Sequence, residues 1–369
     1  MRCLLWGAGW HCHYRRGFRF YVALIGVGLL ATVLASASCG GGGTTPTWTN
    51  IVPATSPPAV AGPAVVYDSA VKGTILFGGY ISTAGKLAAH NGAWEYDSKA
   101  ASWADLKPVG TAPPAVARAP MVFDATLGKV LLRTESGPSA SRVIGTWAYD
   151  PKAKTWTDLK PTGTSPPALL EVSMAYDSSK RRTLLFGGTG ETMFAQVYAY
   201  DAKANAWTEL KASGTAPSAR RGWSMAYDQA GKKVILFGGW NEGEGFLSDT
   251  WAFDPASNTW ANLKPVAAPP ARYLASMAYD EALKRVVLYG GMTKHIQSLL
   301  GAQSYDFGQL GDTWTFDLGK KTWTSVESTV SPPARGMAGL VYDASTQKLV
   351  LFGGLGTDGL TKDTWTLRL

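Results

Sequence analysis

The sequence predicts an all-β protein: six small antiparallel sheets of four strands each, arranged as blades around a central axis. Three observations lead there. A hydrophobic segment closed by Asp recurs six times at a period near 50 residues. Each period holds four short apolar or aromatic runs separated by turn residues. The last period also stops one strand short, while a matching orphan strand stands ahead of the first. Repetition at this length, with runs too short for long helices or membrane spans, is what a β-propeller requires.

The first strands read Ala64-Val65-Val66-Tyr67-Asp68, Met121-Val122-Phe123-Asp124, Met174-Ala175-Tyr176-Asp177, Met225-Ala226-Tyr227-Asp228, Met277-Ala278-Tyr279-Asp280 and Leu340-Val341-Tyr342-Asp343, with steps of 56, 53, 51, 52 and 63 between the Asp residues. Asp at a strand end accepts backbone hydrogen bonds from the turn that follows, so these six carboxylates read as structural. Second strands follow, mostly closed by a Gly pair (Gly78-Gly79, Gly187-Gly188, Gly238-Gly239, Gly290-Gly291, Gly353-Gly354), whereas the second unit has Val130-Leu131-Leu132-Arg133 in that place and has lost the glycines. Third strands carry two aromatics on one face, as in Trp94-Glu95-Tyr96 and Trp314-Thr315-Phe316, and fourth strands begin near Trp103, Trp156, Trp207, Trp260 and Trp323. The sixth unit ends at Trp365–Leu369, and Thr47-Trp48-Thr49 matches a missing fourth strand. Trp48 beside Trp365 should therefore close the ring and leave no major sheet edge unpaired.

This order of aliphatic strand, Gly-Gly, aromatic strand and Trp resembles the kelch repeat, of the galactose oxidase central-domain type, over Trp48–Leu369. The resemblance implies a β-propeller with four antiparallel strands per blade, and with six repeats counted the reading is a six-bladed binding or scaffolding module. It also raises enzymes: copper radical oxidases, which need a Cys that the body lacks, and sialic acid mutarotases. The sialidase Asp-box is absent. No Gly-rich phosphate loop opens a helix and no GxSxG elbow is present, so no cofactor is expected. All 3 Cys (Cys3, Cys12, Cys39) precede the body and only His90 and His295 lie within it, which argues against a metal centre.

The start of the chain reads as an address. Arg15, Arg16 and Arg19 precede an apolar run over 20–35, then Ser36-Ala37-Ser38-Cys39 and four glycines. Basic, apolar and small residues in that order resemble a bacterial lipoprotein signal. The expectation is a signal peptide or anchor over 1–38, a linker over 39–46 and a propeller over 47–369. Cys39 would be lipidated and the protein exported to the cell envelope, with secretion or an uncleaved anchor as alternatives. From Cys39 onward 31 basic residues face 27 acidic ones, so the net charge of +8 is owed largely to the leader and nucleic-acid binding loses its support. A monomer binding an envelope protein, a peptide or a glycan is the expected form.

Function is expected on the face carrying the loops between second and third strands. The longest of these, 292–311, contains His295, Tyr305 and Asp306. Arg220, Arg272 and Arg335 each stand eight residues before a repeat Asp, where the other units have Val60, Val116 and Leu169. With Arg118, Arg221, Trp223, Trp240, Glu242, His295 and Tyr305 they form the candidate ligand face, since Arg suits bidentate carboxylate or phosphate contacts. The competing reading is that each arginine pairs with a neighbouring carboxylate or carbonyl and holds the blades together. A carbohydrate-acting enzyme on the same face, mutarotase-like or sialidase-like, is the alternative function.

Overall fold

A computed structural model describes residues 2–6, 9–13, 46–83, 86–137, 142–190, 193–296 and 305–369. The chain divides into two units, Met1–Thr44 and Thr45–Leu369. In the first, strands Arg2–Trp6 and Gly9–His13 pair as an antiparallel hairpin. The apolar run over 20–35, Cys39 and the rest of the tether to residue 45 lie outside the described residues.

The second unit is a ring of six sheets, each built on four antiparallel strands, with the short Thr162–Gly163 added in parallel beside Ala206–Leu210 in the third. Blade 1 runs Ala64–Asp68, Gly73–Phe77, Ala93–Asp97, Ser102–Asp105 and blade 2 Met121–Asp124, Lys129–Ser136, Val143–Asp150, Thr155–Asp158. Blade 3 has Ser173–Asp177, Arg182–Thr189, Met193–Asp201, Ala206–Leu210, and blade 4 Ser224–Asp228, Lys233–Phe237, Thr250–Asp254, Thr259–Asn262. Blade 5 has Ser276–Asp280, Arg285–Met292, Gln309–Asp317, Thr322–Ser325. Blade 6 takes Gly339–Asp343, Lys348–Phe352 and Thr364–Arg368 from the C-terminal end and Thr47–Ile51 from before blade 1. Trp48 faces Leu367 in that antiparallel ladder, so the closure expected at Trp48 and Trp365 is present. The innermost strands neighbour one another in a closed cycle, blade 6 meeting blade 1.

Each repeated residue has a physical task. The six strand-end carboxylates accept turn amides, among them Ala70 N to Asp68 at 2.8 Å, Gly231 N to Asp228 at 2.7 Å and Ser345 N to Asp343 at 2.7 Å. The Gly pair lets the strand leading into the next blade pass at contact distance. A Cβ at Gly78, where φ is 65°, would sit 2.5 Å from the Val116 carbonyl oxygen, and Gly79 N donates to that same oxygen at 2.8 Å. In blade 2 the ladder continues instead, with Arg133 opposite Thr146 and Thr134 opposite Gly145. Arg133 is buried there, and its Nη2 donates to the Pro166 and Pro167 carbonyls at 3.0 and 2.8 Å.

The fourth-strand tryptophans are wedges between blades. Trp48, Trp103, Trp207 and Trp323 are buried, and the Nε1 of each donates to a threonine hydroxyl on the third strand of the preceding blade: Thr313 at 3.1 Å, Thr364 at 2.9 Å, Thr146 at 3.3 Å and Thr250 at 2.9 Å. Trp156 and Trp260 face the positions where Ala93 and Val197 replace that threonine, and their Nε1 groups find no partner among the described residues. Aromatic edges complete the packing, with Trp260 4.4 Å from Phe186 and Trp48 5.4 Å from Tyr289.

Candidate functional site

On the face bearing the loops between second and third strands, the chain enters every blade through a residue six places before the repeat Asp. These are Gly62, Arg118, Glu171, Gly222, Leu274 and Met337, and all six have positive φ, between 54° and 65°. Their amides link blade to blade around the axis: Arg118 N to Gly62 O at 2.7 Å, Gly62 N to Met337 O at 2.7 Å, Met337 N to Leu274 O at 2.9 Å and Leu274 N to Gly222 O at 2.6 Å. A left-handed backbone costs a non-glycine residue about 1–2 kcal/mol, which these four hydrogen bonds and the packing must offset. Neighbouring side chains pack tightly against the two glycines of this set. A Cβ at Gly222 would lie 2.9 Å from the Tyr273 ring, and one at Gly62 would lie 2.7 Å from the Arg118 stem.

Five of the residues expected on this face gather here. Arg118 pairs with Glu171 of the next blade, reaches the Tyr80 hydroxyl at 3.5 Å, and lies 5.7 Å over the Tyr80 ring. Arg221 lies 4.7 Å over the Trp240 ring, and its Nη2 meets Nε2 of His295, which descends from the long loop of blade 5. The His295 ring packs 4.6 Å from Trp240 and is stacked 6.2 Å from Tyr273. Donation from Arg221 requires a neutral imidazole with its proton on Nδ1. Burial and the adjacent Arg221 charge both push the His295 pKa down, against an opposing pull from Glu171. Burial pushes the Tyr273 phenol up to about 12, and its hydroxyl accepts the Ile296 amide at 2.6 Å. Tyr305 joins Tyr80, Trp240, Phe246 and Leu360 as half-buried apolar surface over Tyr273, Met292, Phe307 and Met337. The mouth is therefore aromatic, with two cations held in place. Glu242 is exposed at the tip of the Trp240–Phe246 hairpin, away from these contacts.

Arg220, Arg272 and Arg335 are placed differently from the ligand-facing expectation. Each is 1–2% exposed. Arg272 donates to both oxygens of Asp312 at 2.5 and 2.7 Å, to Gly290 O at 2.9 Å and to Pro270 O at 2.9 Å. Arg220 repeats this with Asp249, Gly238 and Ser218, and Arg335 with Asp363, Gly353 and Pro333. The second carboxylate oxygen also accepts Nε1 of Trp251, Trp314 or Trp365 at 2.6 Å. All three guanidinium groups are committed inside their own blades, so the reading in which they pair structurally is the one the geometry favours. Trp223 likewise leaves the ligand set: it is 6% exposed and lies edge-on to Phe186.

The aspartates were the missed partners, and a signal for them exists. Asp-Thr-Trp occurs at 249–251, 312–314 and 363–365, in the three units that carry the arginine. The units with Val60, Val116 and Leu169 have Gly92, Gly145 and Gln196 in the aspartate's place. Arginine and aspartate are thus kept or lost together along a single chain. Burial alone would raise the Asp312 and Asp363 carboxyls, but hydrogen bonds and charge from Arg272 and Arg335 outweigh it and hold both below the ordinary range.

No group of three or more His, Cys, Asp or Glu among the described residues could hold a metal ion. At the opposite end of the axis a cavity of about 460 Å³ opens between Tyr67, Phe123, Tyr176, Tyr227, Tyr279 and Tyr342.

Three stretches, 43–229, 128–270 and 229–369, match the KLHDC2/KLHL20/DRC7 Kelch-repeats domain and together span the whole ring. The chain belongs to this kelch-repeat family. Among curated proteins it is similar to putative adagio-like protein 2 of Oryza sativa subsp. japonica, 27% identical over 59% of this chain and 33% of that protein. It is similar to the Rab9 effector protein with kelch motifs of Xenopus laevis, 24% identical over 59% of this chain and 58% of that protein. An F-box/kelch-repeat protein of Arabidopsis thaliana is 36% identical over 44% of this chain and 33% of its own length. The chain thus spans a third to three-fifths of these relatives. They are eukaryotic kelch proteins, and this corrects the bacterial lipoprotein reading: lipidation at Cys39, membrane attachment through it and an exported, cell-envelope address are not carried forward. Kelch propellers act as protein-interaction and scaffolding modules, and this ring is one of them by sequence and by fold.

Proposed function

We propose that the kelch ring docks a protein partner through the mouth formed by Tyr80, Arg118, Arg221, Trp240, His295 and Tyr305. The observation that carries this reading is the collection, from three blades and the long loop of a fourth, of half-buried aromatics around two oriented guanidinium groups. Aromatic and arginine side chains dominate binding energy at protein interfaces because they bury large areas while offering directed donors. An acid–base pair of the kind a carbohydrate-acting enzyme needs gains no support: the three repeat arginines serve their blades, and Asp306 is tied to Lys294 at 2.7 Å.

The test compares two faces of one protein. Partners captured by the parent are crosslinked and identified by mass spectrometry, then measured again with Trp240→Ala/Arg221→Ala and with Gln229→Ala/Glu281→Ala at the opposite opening. Loss of at least about 2 kcal/mol of binding, a thirtyfold weakening, is expected for the mouth variant alone. Equal binding by the mouth variant, or loss confined to the other opening, refutes the assignment.

A further inference from the structure

The loop that brings blade 1 back into its third strand reads His90-Asn91-Gly92, the only Asn-Gly dipeptide in the chain. Three features of this site belong to one reaction. The Gly92 amide N–H donates to Nδ1 of His90 at 3.0 Å, so that nitrogen carries a lone pair and the ring proton resides on Nε2. Burial lowers the His90 pKa, which leaves Nδ1 unprotonated as the acceptor of this N–H. The Asn91 side chain is exposed, and its Nδ2 rests 3.5 Å from the Pro113 carbonyl. Glycine removes the Cβ that would otherwise crowd the approach: one at position 92 would lie 2.9 Å from His90 Nδ1.

We propose that Asn91 is a self-modification site at which His90 acts as general base. His90 Nδ1 takes the Gly92 amide proton as the nitrogen bonds to Asn91 Cγ. The imidazolium returns that proton to the side-chain nitrogen, the Cγ–Nδ2 bond breaks and ammonia leaves. The resulting succinimide is opened by water at either carbonyl, giving aspartate or isoaspartate. Apart from that one water, no co-reactant is consumed, and no oxidant or reductant is needed. His90 is thus a catalytic residue in the strict sense, because it touches the reacting nitrogen.

The consequence is local and structural. Gly92 O accepts Gly78 N at 3.0 Å, and His90 O accepts Val116 N at 3.2 Å from the strand entering blade 2. Isoaspartate inserts a methylene between these two carbonyls and adds a negative charge, so it loosens the joint between blades 1 and 2 on the loop-rich face.

The test ages the folded full-length chain at neutral pH and follows the tryptic peptide Leu87–Lys99 by mass and by isoaspartate-directed methylation. General-base assistance predicts that the parent converts Asn91 at least about tenfold faster than His90→Gln, which keeps an acceptor but cannot take the proton. Equal rates in the two proteins overturn the proposal, as does conversion that appears only after unfolding. Should His90→Gln fold poorly, the parent alone decides through its pH profile. A rate that levels off once His90 is neutral supports the general base, whereas one that rises with hydroxide throughout eliminates it.

Discussion

Arg272 and Asp312 offer a quantitative test, because the chain contains its own control. Replacing Arg272 with Val, the residue at the same place in the first two units, removes both bonds to Asp312 and the donors to Gly290 O and Pro270 O. Breaking a buried pair by deleting one partner costs about 3–5 kcal/mol. The Asp312 side chain is 34% exposed and can be partly rehydrated, so the lower end, about 3 kcal/mol, is expected. Asp312→Gly should cost at least as much, since it strands a fully buried guanidinium. The double variant Arg272→Val/Asp312→Gly recreates the Val116/Gly145 arrangement of blade 2 and leaves neither charge behind. It should be more stable than the sum of the single effects by at least about 2 kcal/mol. Urea unfolding of the four proteins at constant m-value measures this coupling. The pH dependence has a defined sign. Asp312 is held below its ordinary pKa when folded, so its contribution is full above the unfolded value and disappears as pH falls through the folded one. The gap between parent and Arg272→Val should therefore narrow as pH drops below about 4. A purely additive cycle, or an Arg272→Val protein within 1 kcal/mol of the parent at neutral pH, would refute the argument.

Trp48→Ala should destabilise the ring by about 3–5 kcal/mol through lost burial and an unfilled cavity, and hydrogen exchange should rise first in Thr364–Arg368, its ladder partner. Val197→Thr supplies the hydroxyl that Trp260 Nε1 lacks and should stabilise by about 0.5–1.5 kcal/mol, read as a higher urea midpoint. The reverse change, Thr313→Val, orphans Trp48 Nε1 and should cost about 1–3 kcal/mol. If both changes move stability in the same direction, the Trp–Thr bridge is not the unit of inter-blade contact.

The circular arrangement was legible because it is written six times. A single Met-Ala-Tyr-Asp or Leu-Phe-Gly-Gly would say little, but six at matched spacing fix strand order, turn chemistry and, through the orphan Thr47-Trp48-Thr49, the closure. The mouth was legible only in part. Arg118, Arg221, Trp240, His295 and Tyr305 do converge, yet Arg220 differs from Arg221 by one position in an extended segment, where successive side chains point to opposite sides. One is sealed against Asp249 and the other lies beneath Trp240. The export reading failed for another reason: a basic, apolar and small-residue leader is a compositional pattern, and composition is shared by segments of different origin.

The sequence by itself therefore determined the number of blades, their strand order and the residues of each turn, because these follow from short-range periodicity. Only the tertiary structure decided which arginines are sealed and which face the mouth. That outcome depends on carboxylates 28 to 40 residues away in the chain, brought within hydrogen-bond distance by the return of the third strand.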